Sequence, residues 1–243
     1  MKVVVVGAGL GGLSAAAHLV GAGHDVTIVE RDAIPGGRAG MITEQGFRLD
    51  NGPTVLTMPN LLEEAFNAAG AEMKDFVTIN PVDPMYRAVY ADGSTLFVRH
   101  GREAMTQEIR EFAGAKDAEA FCTWLEQLYR AEMDSFIDAN FDTPLDLIKP
   151  WKSGLELVKL GGFGKLGKKV ASFFDDERLQ RIFSFQSMYA GLAPYEALAL
   201  YAVITYMDSV EGVFVPEGGM HMMAAGLADA VTTAGVEIRY SSP

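Results

Sequence analysis

The first thirty residues constrain the fold more than any other stretch of the chain. A β-branched run at 3–6 leads directly into Gly7-Ala8-Gly9-Leu10-Gly11-Gly12. An apolar, helix-like stretch over 13–20 follows, then Gly21 and Gly23, then a second apolar run over 26–29 closed by Glu30. Strand, glycine turn, helix, strand and acid, in that order, is the layout of a dinucleotide-binding βαβ unit. Gly7 permits the tight turn, Gly9 lets backbone approach a pyrophosphate, and Gly12 lets the helix pack close to the strand, with Gly11 in the same turn. The first N–H groups of such a helix have no internal partner and face an anion with the helix dipole behind them. Glu30 stands 18 residues beyond Gly12, placed to accept hydrogen bonds from an adenosine ribose. Its charge repels a 2′-phosphate, which argues against NADP. About twenty uncharged residues after Lys2 superficially resemble a secretion signal, but six glycines and His18 interrupt them. The stretch reads as mature fold.

At 243 residues the chain can hold one large domain or two small ones. Apolar residues make up 49% and charged ones 21%, a globular composition rather than a disordered one. The net charge of −12 disfavours general nucleic-acid binding, which needs a basic surface to displace counterions. A single cysteine, Cys122, excludes an internal disulfide and suits a reducing compartment; it reads as a small buried apolar residue in a helix. His18, His24, His100 and His221 are scattered without ligand spacing, so no metal site is expected. No run of eighteen apolar residues occurs without breakers, so no membrane-spanning helix is expected.

After Glu30 comes Arg31-Asp32-Ala33-Ile34-Pro35-Gly36-Gly37-Arg38-Ala39-Gly40. A glycine pair lets backbone lie flat against a ligand, and an arginine beside it can neutralise phosphate. The plain alternative is a glycine-rich surface loop with a solvated arginine. Residues 41–43 and 46–49 read as two short strands around Glu44-Gln45-Gly46, followed by a rigid loop of little bulk, Asp50-Asn51-Gly52-Pro53-Thr54-Val55. The wording V-x-V-G-A-G-L-G-G-L at 4–13, V-E-R at 29–31, G-G-R-A-G at 36–40 and G-F-R-L-D-N-G-P-T at 46–54 resembles the FAD-dependent amine oxidase and carotenoid desaturase superfamily. Within it, G-P-T-V-L-T-M-P at 52–59 is most similar to bacterial phytoene desaturases. The resemblance implies FAD, not NAD. It places Glu30, with Arg31 beside it, at the adenosine ribose. Gly36, Gly37 and Arg38 then fall along the pyrophosphate, and Pro53, Thr54 and Val55 near the flavin ring. The implied fold is α/β, a Rossmann-like FAD-binding domain with an inserted α+β substrate domain. Its parts would be 1–75, 76–212 as the substrate and membrane-facing domain, and 213–243 as the return to the FAD-binding domain.

The middle of the chain reads as follows. Pro59 opens a helix over 59–69 that Gly70 stops. Residues 76–79, 86–90 and 95–98 read as strands, the last two joined by Ala91-Asp92-Gly93-Ser94, a hairpin signal. A helix over 102–113 precedes a second one with Phe121, Trp124, Leu125 and Leu128 on one face and Asp117 as its cap. Residues 149–170 carry six lysines against Glu156, a local charge of +5, interleaved with Trp151, Leu155, Val158 and Phe163. Such a stretch can lie on an anionic bilayer, or it can be a solvated lysine face over a core helix. A helix over 175–185 comes next. Residues 187–207 form an almost charge-free segment, with Pro194 opening a helix that is either buried or lines an apolar cavity. A strand at 213–215, a helix over 220–233 and a strand at 236–240 restore the α/β alternation.

The activity implied by the resemblance is FAD-dependent desaturation of a carotene such as phytoene. A hydride and a proton leave neighbouring saturated carbons, and conjugation lengthens. The cofactor carries the redox chemistry, while the protein positions the carbon and keeps the site dry. Asp146 is the one weak candidate for a catalytic acid or base. A surface ion pair with Lys149, three residues on, is the stronger reading of that residue. A carotenoid isomerase, a polyene saturase or an amine oxidase remains open on the same fold. So does a non-catalytic prenyl-lipid-binding protein, against which the phosphate turn, Glu30 and Arg38 argue. The expected partners are a lipophilic polyene and a membrane surface, with no nucleic acid, and the expected location is cytoplasmic and peripherally membrane-associated. Proteins of the family usually continue for about as long again, so the chain is expected to be an N-terminal part that holds FAD weakly alone. The missing C-terminal half would come from the rest of a longer protein or from another chain.

Overall fold

The computed structural model describes residues 1–114, 117–137, 139–140, 142–143 and 150–243. The chain begins with β1 (Lys2–Val6), α1 (Leu10–Gly21), β2 (Asp25–Val29), the hairpin β3 (Gly40–Glu44) and β4 (Phe47–Asn51), α2 (Pro59–Ala68) and β5 (Ile79–Pro81). A second hairpin follows, β6 (Tyr86–Val89) and β7 (Thr95–Val98), then α3 (Arg102–Ala113) and α4 (Ala118–Glu132). Next come α5 (Trp151–Leu160), α6 (Leu166–Ala171), α7 (Glu177–Ile182) and α8 (Ala202–Tyr206). The chain ends with β8 (Phe214–Pro216), α9 (Met222–Thr233) and β9 (Glu237–Arg239). Two compact units result: Met1–Pro81 with Phe214–Pro243, and Val82–Val213.

In the first unit β1 and β2 pair in parallel with Val4 opposite Thr27, and β9 adds to β2 with Ile238 opposite Ile28. The sheet order is β1-β2-β9. Parallel strands need a crossover, and α1 supplies it between the first two. Leu13, Ala16 and Ala17 of α1, Ile28 of β2, Phe66 of α2 and Leu227 of α9 bury together. Among the described residues β1 and β9 are the two edges of this sheet, and Val4 and Val6 of β1 are 65% and 85% exposed. The unit runs to Pro81 and resumes at Phe214, rather than breaking at 75/76 and 212/213, because β5 pairs antiparallel with β8, Ile79 opposite Pro216. The expected strand at 76–79 is displaced to Ile79–Pro81 for a local reason. Phe76 and Val77 both donate to the Met73 carbonyl in a 3-10 turn, which sets Phe76 against Phe66 at 5.9 Å.

The second unit buries Phe121, Leu125 and Leu128 of α4 with Phe174, Leu179 and Phe183. Cys122 is buried in the same helix and accepts from the Thr106 hydroxyl at 3.4 Å. Asp117 stands at the N-cap of α4 but makes no side-chain cap bond. The cap that does form is Asp176, which accepts the Arg178 N–H at 2.8 Å and starts α7 later than the expected 175. The apolar segment at 187–207 is not one helix opened by Pro194. Instead, a 3-10 turn at Phe185–Ala190 ends in left-handed Gly191, and α8 starts only at Ala202. The intervening backbone bonds elsewhere: Leu166 and Gly167 donate to the Ala197 and Pro194 carbonyls, and Ala199 and Leu200 donate to Gly164 and Gly162. Those exchanges replace helical hydrogen bonds. Met188, Tyr189 and Tyr195 of this segment are exposed rather than buried. Asp146 and Lys149 lie outside the described residues.

Candidate functional site

β1 ends at Val6 and α1 starts at Leu10, so the chain must turn within three residues. Gly12 is dictated by sterics, because a Cβ there would fall 2.0 Å from the Gly7 carbonyl oxygen. That approach seats the first turn of α1 on the glycine turn. Gly9 caps α1 without a side-chain bond, and no acid stands in the first turn. Leu13 is the first residue to bond back, donating to the Gly9 carbonyl at 2.9 Å. The amides ahead of it have no helical acceptor, and with the positive end of the helix dipole they favour an anion.

Glu30 is 6% exposed. Its Oε2 accepts the Ala8 N–H at 2.6 Å and its Oε1 accepts the Asp32 N–H at 2.8 Å. A carboxylate oxygen has a second lone pair, so the protein orients this acid and leaves it able to accept from a ligand hydroxyl. The tie from Glu30 to the glycine turn itself has no signal in the sequence.

The glycine pair folds back onto the same turn. Gly36 donates its N–H to the Ala8 carbonyl at 2.8 Å, and Gly9 and Gly36 form a parallel bridge. The loop after β4 packs onto this segment so closely that a Cβ on Gly52 would fall 1.8 Å from the Arg38 carbonyl oxygen. Two residues outside the sequence-derived site take part. The Asp50 carboxylate accepts the backbone N–H groups of Met220 and His221 at 2.9 and 3.0 Å. Both were legible only as a loop acid and an isolated histidine.

Gly7, Gly9, Glu30, Arg31, Gly37 and Ser242 line a groove of about 410 Å³, within the usual range for small-molecule sites. Pro53 and Val55 instead line a separate apolar cavity of about 350 Å³ with Leu10, Met58 and Met223. Gly11 is exposed on the first turn of α1, and Gly36 is buried. Arg38 and Thr54 are exposed and outside both linings. A glycine floor, amides with no helical acceptor and an oriented acid fit the adenosine and diphosphate end of a dinucleotide.

The second unit holds buried titratable groups. Asp208 accepts from Tyr86 and Tyr189 hydroxyls at 3.1 Å each and from Ser209 at 2.6 Å. Burial holds its carboxyl above the usual range. Burial, then the Asp208 charge, pushes the Tyr189 phenol up to about 12. Glu132 ends α4 on the stripe that carries Leu125 and Leu128. It is 6% exposed, and its Oε1 has no hydrogen-bond partner among the described residues. Burial pushes its carboxyl up to about 8. Among the described residues no cluster of three or more His, Cys, Asp or Glu could hold a metal ion.

Residues 10–243 match the Flavin containing amine oxidoreductase family. The chain is 54% identical to the phytoene dehydrogenase of Streptomyces griseus over 98% of its own length and 47% of the relative's. It is 32% identical to the zeta-carotene-forming phytoene desaturase of Myxococcus xanthus over all of this chain and 47% of that one. It thus spans about half the length of the curated relatives it matches. The solved structure of the PF1083 protein from Pyrococcus furiosus aligns with a TM-score of 0.58 at 18% identity, covering 99% of this chain and 51% of that one; at that identity the likeness concerns the fold alone. No helix among the described residues is long and apolar enough to cross a membrane. A dinucleotide groove and a match to almost the whole chain lead to one conclusion: the chain belongs to the Flavin containing amine oxidoreductase family.

Proposed function

We propose that this chain is the N-terminal, FAD-binding part of a desaturase that dehydrogenates a carotene such as phytoene in carotenoid biosynthesis. The observation that carries the reading is the 54% identity to a phytoene dehydrogenase over 98% of the chain, which includes a groove shaped for a dinucleotide. FAD, when bound, supplies the hydride acceptor. The N–H groups at the start of α1 hold the diphosphate, with Gly7 and Gly9 keeping side chains out of its way, Gly12 seating the helix on the turn and Gly11 beside them. Glu30 accepts from the ribose hydroxyls, with Arg31 at the rim. Gly37 brings backbone to the diphosphate, Gly36 holds that backbone against Gly9, and Arg38, outside the lining, adds positive charge from the loop beside the groove. Pro53 and Val55 serve the ring end with the apolar cavity they line, and Thr54 stands between them. Asp146 receives no role.

The unit Val82–Val213 is read as the part that takes the lipophilic polyene. Its helix α5 buries Leu157 and leaves Trp151, Leu155 and Val158 exposed, with Lys152 and Lys159 on the same helix and exposed Phe163 just beyond. Apolar burial and lipid charge act together on such a surface. It supports a cytoplasmic protein in peripheral contact with an anionic membrane through residues 149–170. The remaining half, whether in the same polypeptide or in a second chain, would complete the flavin site; the 243-residue chain alone is expected to hold FAD weakly and to turn over no substrate. The test is anaerobic bleaching of oxidised flavin by the chain joined to that remaining half. Bleaching by phytoene and not by a primary amine is expected, and the reverse would overturn the reading.

A further inference from the structure

His221 lies beneath the turn that carries the glycine pair. It is 5% exposed, and its Nδ1 stands 3.0 Å from the Ala39 carbonyl oxygen. A carbonyl oxygen only accepts, so Nδ1 carries the hydrogen. The same nitrogen lies 3.1 Å from where a Cβ on Gly36 would be, so the imidazole fills the space under that residue. Ala39 in turn closes the turn by donating its N–H to the Gly36 carbonyl at 2.8 Å. The histidine is itself fixed from behind. Asp50 Oδ1 accepts its backbone N–H and Oδ2 accepts that of Met220. Asp50 belongs to β4, which pairs with β3 through Asp50 opposite Met41 and Asn51 opposite Gly40. The contacts therefore form a closed ring: from the 36–40 turn, through the hairpin to Asp50, across to His221, and back to Ala39. The outer side of that turn is the one that meets Gly9 and Ala8.

We infer that Asp50 and His221 are positioning residues for the diphosphate site. They set how Gly36 and Gly37 lie against Gly9, and through that they set FAD affinity, without touching the ligand. The inference rests on the FAD reading above, and its test separates the two. FAD binding to the 243-residue chain is measured by quenching of flavin fluorescence, and amide exchange is followed at Ala39 and across α9. His221→Leu fills the space without a donor. His221→Asn places an amide N–H where Nδ1–H stood, and His221→Gln places it at the Nε2 position instead. His221→Leu, His221→Gln and Asp50→Ala are each expected to weaken FAD binding about tenfold and to speed exchange at Ala39 with α9 still protected. His221→Asn is expected to recover most of both. Wild-type binding and exchange in His221→Leu, or equal loss in Asn and Gln variants, would overturn the inference. If His221→Leu does not fold, the Asn and Gln pair decides alone. If the wild-type chain alone binds no measurable FAD, the same variants are compared in the chain joined to its remaining half; binding to neither would overturn the FAD reading, and exchange at Ala39 would still decide whether His221 holds the turn.

Discussion

A single methyl group at Gly12 would meet the Gly7 carbonyl oxygen, a backbone atom, at 2.0 Å. Gly12→Ala is therefore expected to cost about 1–3 kcal/mol, the usual range for overpacking a site that cannot yield. Gly11→Ala, with nothing within 4 Å of its added Cβ, is expected to stabilise α1 by about 0.5–1 kcal/mol. Urea unfolding of the two variants checks both signs. Glu132 is a different kind of residue-scale liability, because its carboxyl rises from an ordinary 4.5 to about 8 on burial. The folded state holds that proton more tightly than the unfolded one. Its contribution is full below pH 4.5, falls as pH climbs, and is gone above about 8. Glu132→Gln should flatten this slope, so that melting temperatures at mildly acid and mildly alkaline pH lie closer together than in the wild type. A variant that tracks the wild type at both ends would show that the carboxyl does not titrate as its burial requires. Gly7, Gly9, Gly37 and Glu30 were legible because their spacing is itself the signal. Asp50 and His221 were not, since the backbone groups Asp50 holds lie 170 and 171 residues away and leave no local pattern. Glu132 was not legible because a charged residue at the end of a helix ordinarily faces solvent, and only the packing around α4 buries it.

At the scale of elements, α5 is the surface whose role can be tested alone. Lys165 already donates to the Glu196 carbonyl at 2.7 Å, and Lys169 lies 5.3 Å from the centres of the Trp124 and Phe173 rings. On α5, Lys152, Lys159 and Trp151 are all exposed, with the Lys152 ammonium 5.9 Å from the centre of the Trp151 ring. Changing both lysines to Glu and Trp151 to Ser is expected to cut co-sedimentation with phosphatidylserine vesicles at least tenfold, given about 1 kcal/mol per basic residue at an anionic surface. The same change at Lys165 and Lys168 should do less. Equal binding by all these proteins would remove the membrane contact. Elements with a strong local period, such as α1, α4 and the β6–β7 hairpin, could be read from the sequence. The broken course of 187–207 could not, because what breaks it is backbone at 162–167 claiming its carbonyls and amides. Periodicity is blind to a competitor some thirty residues away.

Across the whole molecule, each unit closes a core of its own, around Leu13, Ile28 and Phe66 in one and around Phe121, Phe174 and Phe183 in the other. The first unit is discontinuous in sequence, Met1–Pro81 with Phe214–Pro243; the pairing of β5 with β8 that closes it joins residues far apart in the chain and leaves no local pattern. Ligand binding should register in that unit's stability. FAD at a hundred times its dissociation constant adds about 2.7 kcal/mol by mass action, read as a higher urea midpoint for amides of α1 and β2. NADP should add none, because Glu30 repels the 2′-phosphate. The edge position of β1 has a further consequence for anyone handling the protein. Among the described residues its outer row of amide and carbonyl groups pairs with no strand, and Val4 and Val6 stand beside it largely bare. That is a template on which another polypeptide can add a strand, the hazard that natural sheets blunt with charge. Concentrated solutions of the 243-residue chain should therefore self-associate in sedimentation velocity, and Val4→Lys should return them to monomer by making the edge repel its own copy.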